Sequence, residues 1–111
     1  MFELMEEEVF TWPVSAKAPD PKQPGKYETV KFEATFNILS PELVSELLDA
    51  DEADSVRRLL ERALVSFAPS FKVPEGMDSD ELNALLLAKP YFRSGLLQAF
   101  KAGSTGYKSK N

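Results

Sequence analysis

Residues 29–38 alternate between polar and apolar side chains at every step. Because successive side chains of a β-strand point to opposite sides of the sheet, this pattern predicts a strand with one buried and one solvated face. The alternation ends at Leu39-Ser40-Pro41-Glu42, a segment typical of a helix start. The chain is therefore expected to begin with β-strands and to continue with α-helices only. The predicted buried face of the strand consists of Val30, Phe32, Ala34, Phe36 and Ile38.

A second alternating run covers residues 9–16. Pro13 lies within it and cannot donate a backbone hydrogen bond, so we expect this strand at the edge of a sheet. A connection rich in proline and glycine, residues 18–25, separates the two runs and indicates an exposed hairpin loop. The two runs together predict an antiparallel hairpin that buries Trp12 and Phe32 on a common face.

Two helices are predicted directly after the hairpin. The first begins at Ser40, whose hydroxyl can accept a backbone N–H of the first turn, with Pro41 at the first helical position. The second is expected to begin near Asp51, with Asp54 as a weak analogue of a capping box. Its predicted apolar stripe consists of Val56, Leu59, Leu60, Ala63, Leu64 and Phe67.

Two more helices are predicted in the last third of the chain. The third begins at residues 78–81, ends at Lys89-Pro90, and presents Leu82, Leu85 and Leu86 as its apolar stripe. The fourth extends from Pro90 to about Ala102, and Gly103 is expected just beyond its end. Residues 68–77 contain two prolines and a glycine and indicate an irregular link.

These elements predict an α+β fold in which an N-terminal antiparallel β-hairpin packs on three to four C-terminal α-helices. Two strands alone are not stable in water, so the helices must cover the apolar face of the hairpin. The 111 residues are enough for one domain with a hydrophobic core. We expect that domain to cover residues 1–103, followed by a disordered tail over residues 104–111.

The chain contains no cysteine and no histidine. Their absence removes disulfides, thiol chemistry, the usual zinc sites and the Ser-His and Cys-His nucleophile pairs. The net charge of −5 opposes binding to a nucleic-acid backbone, and no apolar run is long enough to cross a membrane. We therefore expect no enzymatic activity, no cofactor, no metal, and neither a nucleic-acid nor a membrane partner.

Two acidic runs, residues 6–8 and 49–54, have three possible interpretations: metal ligands, a mimic of a nucleic-acid backbone, or solvated faces and helix starts. A calcium loop needs a central glycine, which residues 49–54 lack. A nucleic-acid mimic needs one continuous acidic face, whereas carboxylates interleave with lysines and arginines along this chain. We interpret both runs as solvated faces and helix starts.

Adjacent aromatic residues open the fourth predicted helix. Neighbours on a helix point about 100° apart, so Tyr91 and Phe92 cannot easily face the same interior. One of the two rings is expected either to contact a partner or to close a seam between helices. The candidate partner-binding residues on this helix are Tyr91, Phe92, Leu96 and Phe100.

The order of these features resembles one known family, the tail assembly chaperones of lambda-like bacteriophages with long, non-contractile tails. That family has a proline-containing first strand, a T-V-x-F-x-A-x-F strand, a polar helix start, a P-Y helix and a K-N ending. The resemblance extends over nearly the whole chain. It is carried by Thr11-Trp12-Pro13-Val14, residues 29–36 (TVKFEATF), Leu39-Ser40-Pro41-Glu42-Leu43, residues 89–96 (KPYFRSGL) and Lys110-Asn111.

The resemblance implies a non-enzymatic chaperone in the host cell cytoplasm that is absent from the mature virion. It implies a homo-oligomer that coats the long, helical phage tape measure protein until tail tube subunits polymerise around it. It also implies a longer product of ribosomal frameshifting that recruits the tail tube protein. The gene for such a product would contain a slippery heptamer in the codons of residues 108–111.

Two interpretations from other classes stay open at this point. The chain is alternatively a small structural or connector subunit of a phage particle, or an acidic inhibitor of a host nucleic-acid enzyme. Mass spectrometry of purified particles separates the first of these from a chaperone, because the chaperone should be missing. The salt dependence of binding to basic host proteins tests the second.

Overall fold

The computed structural model describes residues 8–49 and 54–104. Within these residues the chain forms one antiparallel sheet of three strands and four helices, which confirms the α+β class. Residues 105–111 of the predicted tail and residues 50–53, where the sequence predicts the second helix to begin, lie outside the described residues. The elements are β1 (Val9–Pro19), β2 (Tyr27–Asn37), α1 (Pro41–Asp49), α2 (Ser55–Ala63), β3 (Leu64–Ala68), α3 (Ser79–Leu87) and α4 (Pro90–Ser104).

The hairpin of β1 and β2 forms as predicted and is longer than the alternation indicates. The strands pair continuously from Val9 opposite Asn37 to Pro19 opposite Tyr27. Trp12 lies opposite Ala34 and Val14 opposite Phe32, so the indole and the Phe32 ring share the face that packs against the core. The strand order β1-β2-β3 places β1, with its proline, at an edge of the sheet, as expected.

Ile38 departs from the predicted pattern. It lies beyond the end of β2 and its side chain is 45% exposed, although the alternation assigns it to the buried face. Its backbone N–H still donates to the Glu8 carbonyl at 2.9 Å and extends the hairpin ladder by one bond. The prediction was wrong because β2 ends at Asn37, so Ile38 lies beyond the strand whose apolar face is buried.

The short strand β3 is absent from the sequence prediction, which extends the second helix through Leu64 to Phe67. The helix ends at Ala63, and Leu64 has an extended backbone with ψ 120°. β3 pairs antiparallel with β2, Phe67 opposite Ala34 and Leu64 opposite Phe36, with an irregular register between Thr35 and Phe36. The predicted order, with all strands before all helices, is therefore wrong, because β3 lies between α2 and α3 in the chain.

α4 covers the apolar face of the sheet, chiefly along β1. The largest fully buried side chains come from the sheet, α2 and α4, and they are Phe36, Phe100, Leu59, Leu60, Leu96 and Val14. Phe32 lies at the centre of an aromatic cluster, with ring centroids 5.5 to 5.9 Å from those of Phe67, Phe71 and Phe92 in edge-on arrangements. Such edge-to-face contacts add to the stabilisation from apolar burial.

Two glycines allow α4 to approach the hairpin closely. A Cβ on Gly95 would lie 2.6 Å from the Ser15 carbonyl oxygen, so a larger residue would push the helix away from β1. Gly103 lies inside α4 against the Phe10 ring, and the helix continues to Ser104. The prediction of Gly103 beyond the helix end was wrong, because contact with Phe10 and not helix termination requires the missing side chain.

The starts of α1 and α3 follow the predicted capping chemistry. The Leu43 N–H donates to Ser40 Oγ at 3.2 Å. At α3, Asp78 and Glu81 form a reciprocal capping box with donor–acceptor distances of 2.9 and 3.4 Å. The capping box predicted for the second helix pairs Asp51 with Asp54 and lies partly outside the described residues, and Asp54 makes no side-chain cap bond at the start of α2.

The apolar stripe of α3 also differs from the prediction. Leu86 and Leu87 are buried, whereas Leu85 is 37% exposed. α3 packs against both β3 and α4, so the face that it buries is set by two neighbours and not by one periodic stripe.

Candidate partner-binding surface

The described residues offer surface rather than reactive groups. Within residues 8–49 and 54–104, no group of three or more carboxylates could hold a metal ion, and every fully buried side chain is apolar. In the same part of the chain, no helix is long and apolar enough to cross a membrane. Two surface hollows in this part of the chain are lined mainly by apolar side chains.

The four predicted contact residues of α4 do not form one continuous surface. Leu96, Phe100 and Phe92 are 0%, 2% and 9% exposed, so a partner could not cover them as an open face. Tyr91 is half-buried with its ring centroid 4.8 Å from that of Phe92, and it borders a polar hollow together with Ser94 and Gln98. Only Tyr91 presents a substantial area to a partner, because packing against the sheet occupies the apolar side of α4.

An apolar hollow, which we call the α1 groove, lies between α1, the end of β2 and the C-terminal part of α4. Its volume is about 430 Å³. The nearly buried ring of Phe100 lies at its floor, so one predicted site residue does contribute to an accessible surface. The residues that line the α1 groove are Ile38, Leu39, Pro41, Val44, Ser45, Phe100, Lys101 and Ser104.

α1 itself explains why this groove stays open. The helix begins at the Ser40 cap and packs against α2, but none of its residues is fully buried. Leu43, Val44, Leu47 and Leu48 are each half-buried, and the last three pack against the core. An amphipathic helix normally covers its apolar stripe, so α1 retains unused apolar surface.

Carboxylates flank the groove along α1. Glu42, Glu46 and Asp49 lie on this helix and are exposed, and the sequence has no lysine or arginine between residues 32 and 56. Ser45, which lines the groove, donates its hydroxyl to Asp49 Oδ2 at 2.9 Å. Lys101 lies on the opposite, α4 side of the groove. The α1 wall is therefore acidic.

A second hollow, the aromatic pocket, lies between α3 and the link that follows β3. Its volume is about 170 Å³. The rings of Phe67 and Phe71 stack at 6.2 Å and 16°, and those of Phe71 and Phe92 at 5.7 Å and 20°. Its charged lining residues are Lys72 and Lys89, opposite in sign to the α1 wall. The side-chain amide of Asn83 donates to the Val65 carbonyl at 2.9 Å and holds α3 against β3 beside this pocket.

Sequence reasoning did not assign Ile38, Leu39 and Val44 to a binding surface. Alternation assigned Ile38 to the buried face of the strand, and Leu39 was interpreted only as part of a helix start. One sequence feature could have pointed to the groove. Ile38 and Leu39 are consecutive apolar residues where period-two alternation ends, so they cannot both face one interior. One of the two therefore had to lie off the buried face, which is the signal that the sequence offered.

Comparison of the chain with protein-family models, with curated proteins and with solved structures finds no match.

Proposed function

We propose that this chain is a bacteriophage tail assembly chaperone, which binds the tape measure protein and keeps it in solution until the tail tube forms around it. The observation that carries the proposal is the ordered set of family motifs, from Thr11-Trp12-Pro13-Val14 in β1 to the Pro90-Tyr91 start of α4. Each motif alone is common. Their shared order over nearly the whole chain is specific.

The surface of the chain supports a holding role. The α1 groove and the aromatic pocket are both lined mainly by apolar side chains, which bind without demanding a particular partner sequence. The negative net charge of −5 would keep coated complexes apart by repulsion. A holding chaperone needs these two properties together, grip on an apolar partner and solubility of the complex.

Co-expression with a phage tape measure protein tests the proposal. We expect the tape measure protein to move from the insoluble to the soluble fraction and to co-purify with this chain. An unrelated acidic protein of similar size, expressed at the same level, controls for a general effect of expression. A tape measure protein that stays insoluble with both would contradict the proposed function.

A further inference from the structure

We infer that the α1 groove binds an amphipathic helix whose polar face is basic. This inference rests on the proposed function, since it names the surface and the chemistry by which the chain would hold a helical partner. The argument uses three properties of the groove: its unburied apolar lining, its shape, and the sign of the charge beside it.

Residues 8–49 and 54–104 leave the apolar lining incompletely covered. Ile38 is 45% exposed, and α1 has no fully buried residue although it carries four half-buried apolar side chains. Apolar surface left in water is unfavourable, and covering it contributes about 25 cal/mol per Å². A partner that covers Ile38 and Val44 would complete the burial that α1 lacks.

The lining and volume of the groove suit the apolar side of a helix. Its lining includes Ile38 just after β2, Pro41 and Val44 of α1, and Ser104 of α4. Its volume of about 430 Å³ has room for more than one apolar side chain. An amphipathic helix presents such side chains in a row at i, i+3, i+4 and i+7, which is the usual mode of helix-in-groove binding.

The charge beside the groove favours a helix with a basic polar face. Ser45 lines the groove, and successive residues of a helix are turned by about 100°, so Glu42 and Asp49 lie on the flank next to it. Asp49 also accepts the hydroxyl hydrogen bond of the lining Ser45 at 2.9 Å, so two carboxylates flank the α1 side of the groove, and Lys101 lies across it. A helix with lysines beside its apolar stripe would complement this wall, and one with glutamates would be repelled.

The aromatic pocket provides an internal comparison. It is smaller, about 170 Å³, and two lysines, Lys72 and Lys89, line it. Leu85 borders it and is 37% exposed, which is close to the 45% of Ile38. Leu85 is therefore a matched control position for a change at Ile38.

The test is a titration of the full chain with two fluorescent synthetic peptides of about 18 residues, long enough for five helical turns. Both peptides carry leucines at helical spacing, and they differ only in having lysines or glutamates at the other positions. We expect the lysine peptide to bind at least roughly tenfold more tightly than the glutamate peptide, a difference that shrinks with added salt. Equal affinity for the two peptides would overturn the inference.

Variants locate the site on the chain. Ile38→Gln should weaken binding of the lysine peptide by roughly tenfold, and Leu85→Gln should leave it unchanged. Glu42→Lys combined with Asp49→Lys should weaken binding by a similar factor. A control with the same change of net charge, Glu28→Lys with Glu33→Lys on the hairpin, should weaken it much less. Controls that weaken binding as much as the groove variants would overturn the inference.

All of these positions are exposed, and thermal unfolding followed by circular dichroism verifies that each variant folds. Co-expression with the tape measure protein then separates the two proposals. If the natural chain solubilises it and the Ile38→Gln chain does so equally well, the groove inference fails and the proposed function stands. If the natural chain does not solubilise it, the proposed function fails, and the peptide titration still decides the groove.

Discussion

α4 and α1 begin alike and end in different environments. Each starts with a proline and carries apolar residues at helical spacing. α4 buries five residues, among them Leu96 and Phe100, whereas α1 buries none. An amphipathic stripe makes the burial of a helix possible. Whether the helix is buried depends on the surface next to it, and of these two helices α4 is the one that packs on the sheet.

The two helices should therefore contribute unequally to the free energy of unfolding. α4 is joined to the sheet through Gly95 and Gly103, whose missing side chains allow close contact with β1. α1 contacts mainly α2. Elements with few buried contacts open at low free energy, and binding surfaces are drawn from such elements.

The largest expected effect is on the α4 side. Leu96→Ala should lower the free energy of unfolding by about 3 kcal/mol, because the side chain is 0% exposed and its removal leaves a cavity. Urea denaturation followed by circular dichroism measures the change. A loss smaller than about 1 kcal/mol would contradict the idea that α4 anchors the sheet.

A smaller loss should follow from adding one methyl group to the interface of α4 and β1. Gly95→Ala should cost about 2 kcal/mol, because the new Cβ meets the Ser15 carbonyl oxygen and the backbones must separate. Ser94→Ala is the matched control, since Ser94 is exposed on the same helix. If both substitutions stabilise the protein equally, helix propensity decides at this position and close packing does not.

The smallest expected effect is on α1. Leu47→Ala should cost only about 1 kcal/mol, because Leu47 is half-buried and its removal opens no enclosed cavity. The same denaturation experiment, run beside Leu96→Ala, measures the contrast between the two helices. Equal losses would show that α1 is as firmly held as α4, and the comparison would fail.

Local features of the fold could be predicted from the sequence. Alternation identified both strands of the hairpin, Pro13 identified the edge strand, and Ser40 and Asp78 marked helix starts. These predictions succeeded because each depends on backbone geometry or on hydrogen bonds within a few residues.

Features that depend on distant neighbours could not be predicted. Leu64 and Phe67 are three residues apart, which is the spacing of a helix stripe. The segment instead pairs with the edge of β2 and forms β3. Gly103 has the residue type of a helix end, but the Phe10 ring from β1 explains it. In both cases the deciding group is far away in the sequence.

The candidate partner-binding surface also has one part that the sequence predicted and one part that it could not predict. Residue order alone specified that α4 carries an aromatic and apolar face, and Phe100 does lie at the floor of the α1 groove. Tertiary packing decided that Phe92 and Leu96 are enclosed while Ile38 and Val44 remain accessible. The physical reason is that periodicity records which side chains avoid water, whereas only the arrangement of neighbouring elements determines which of them are covered.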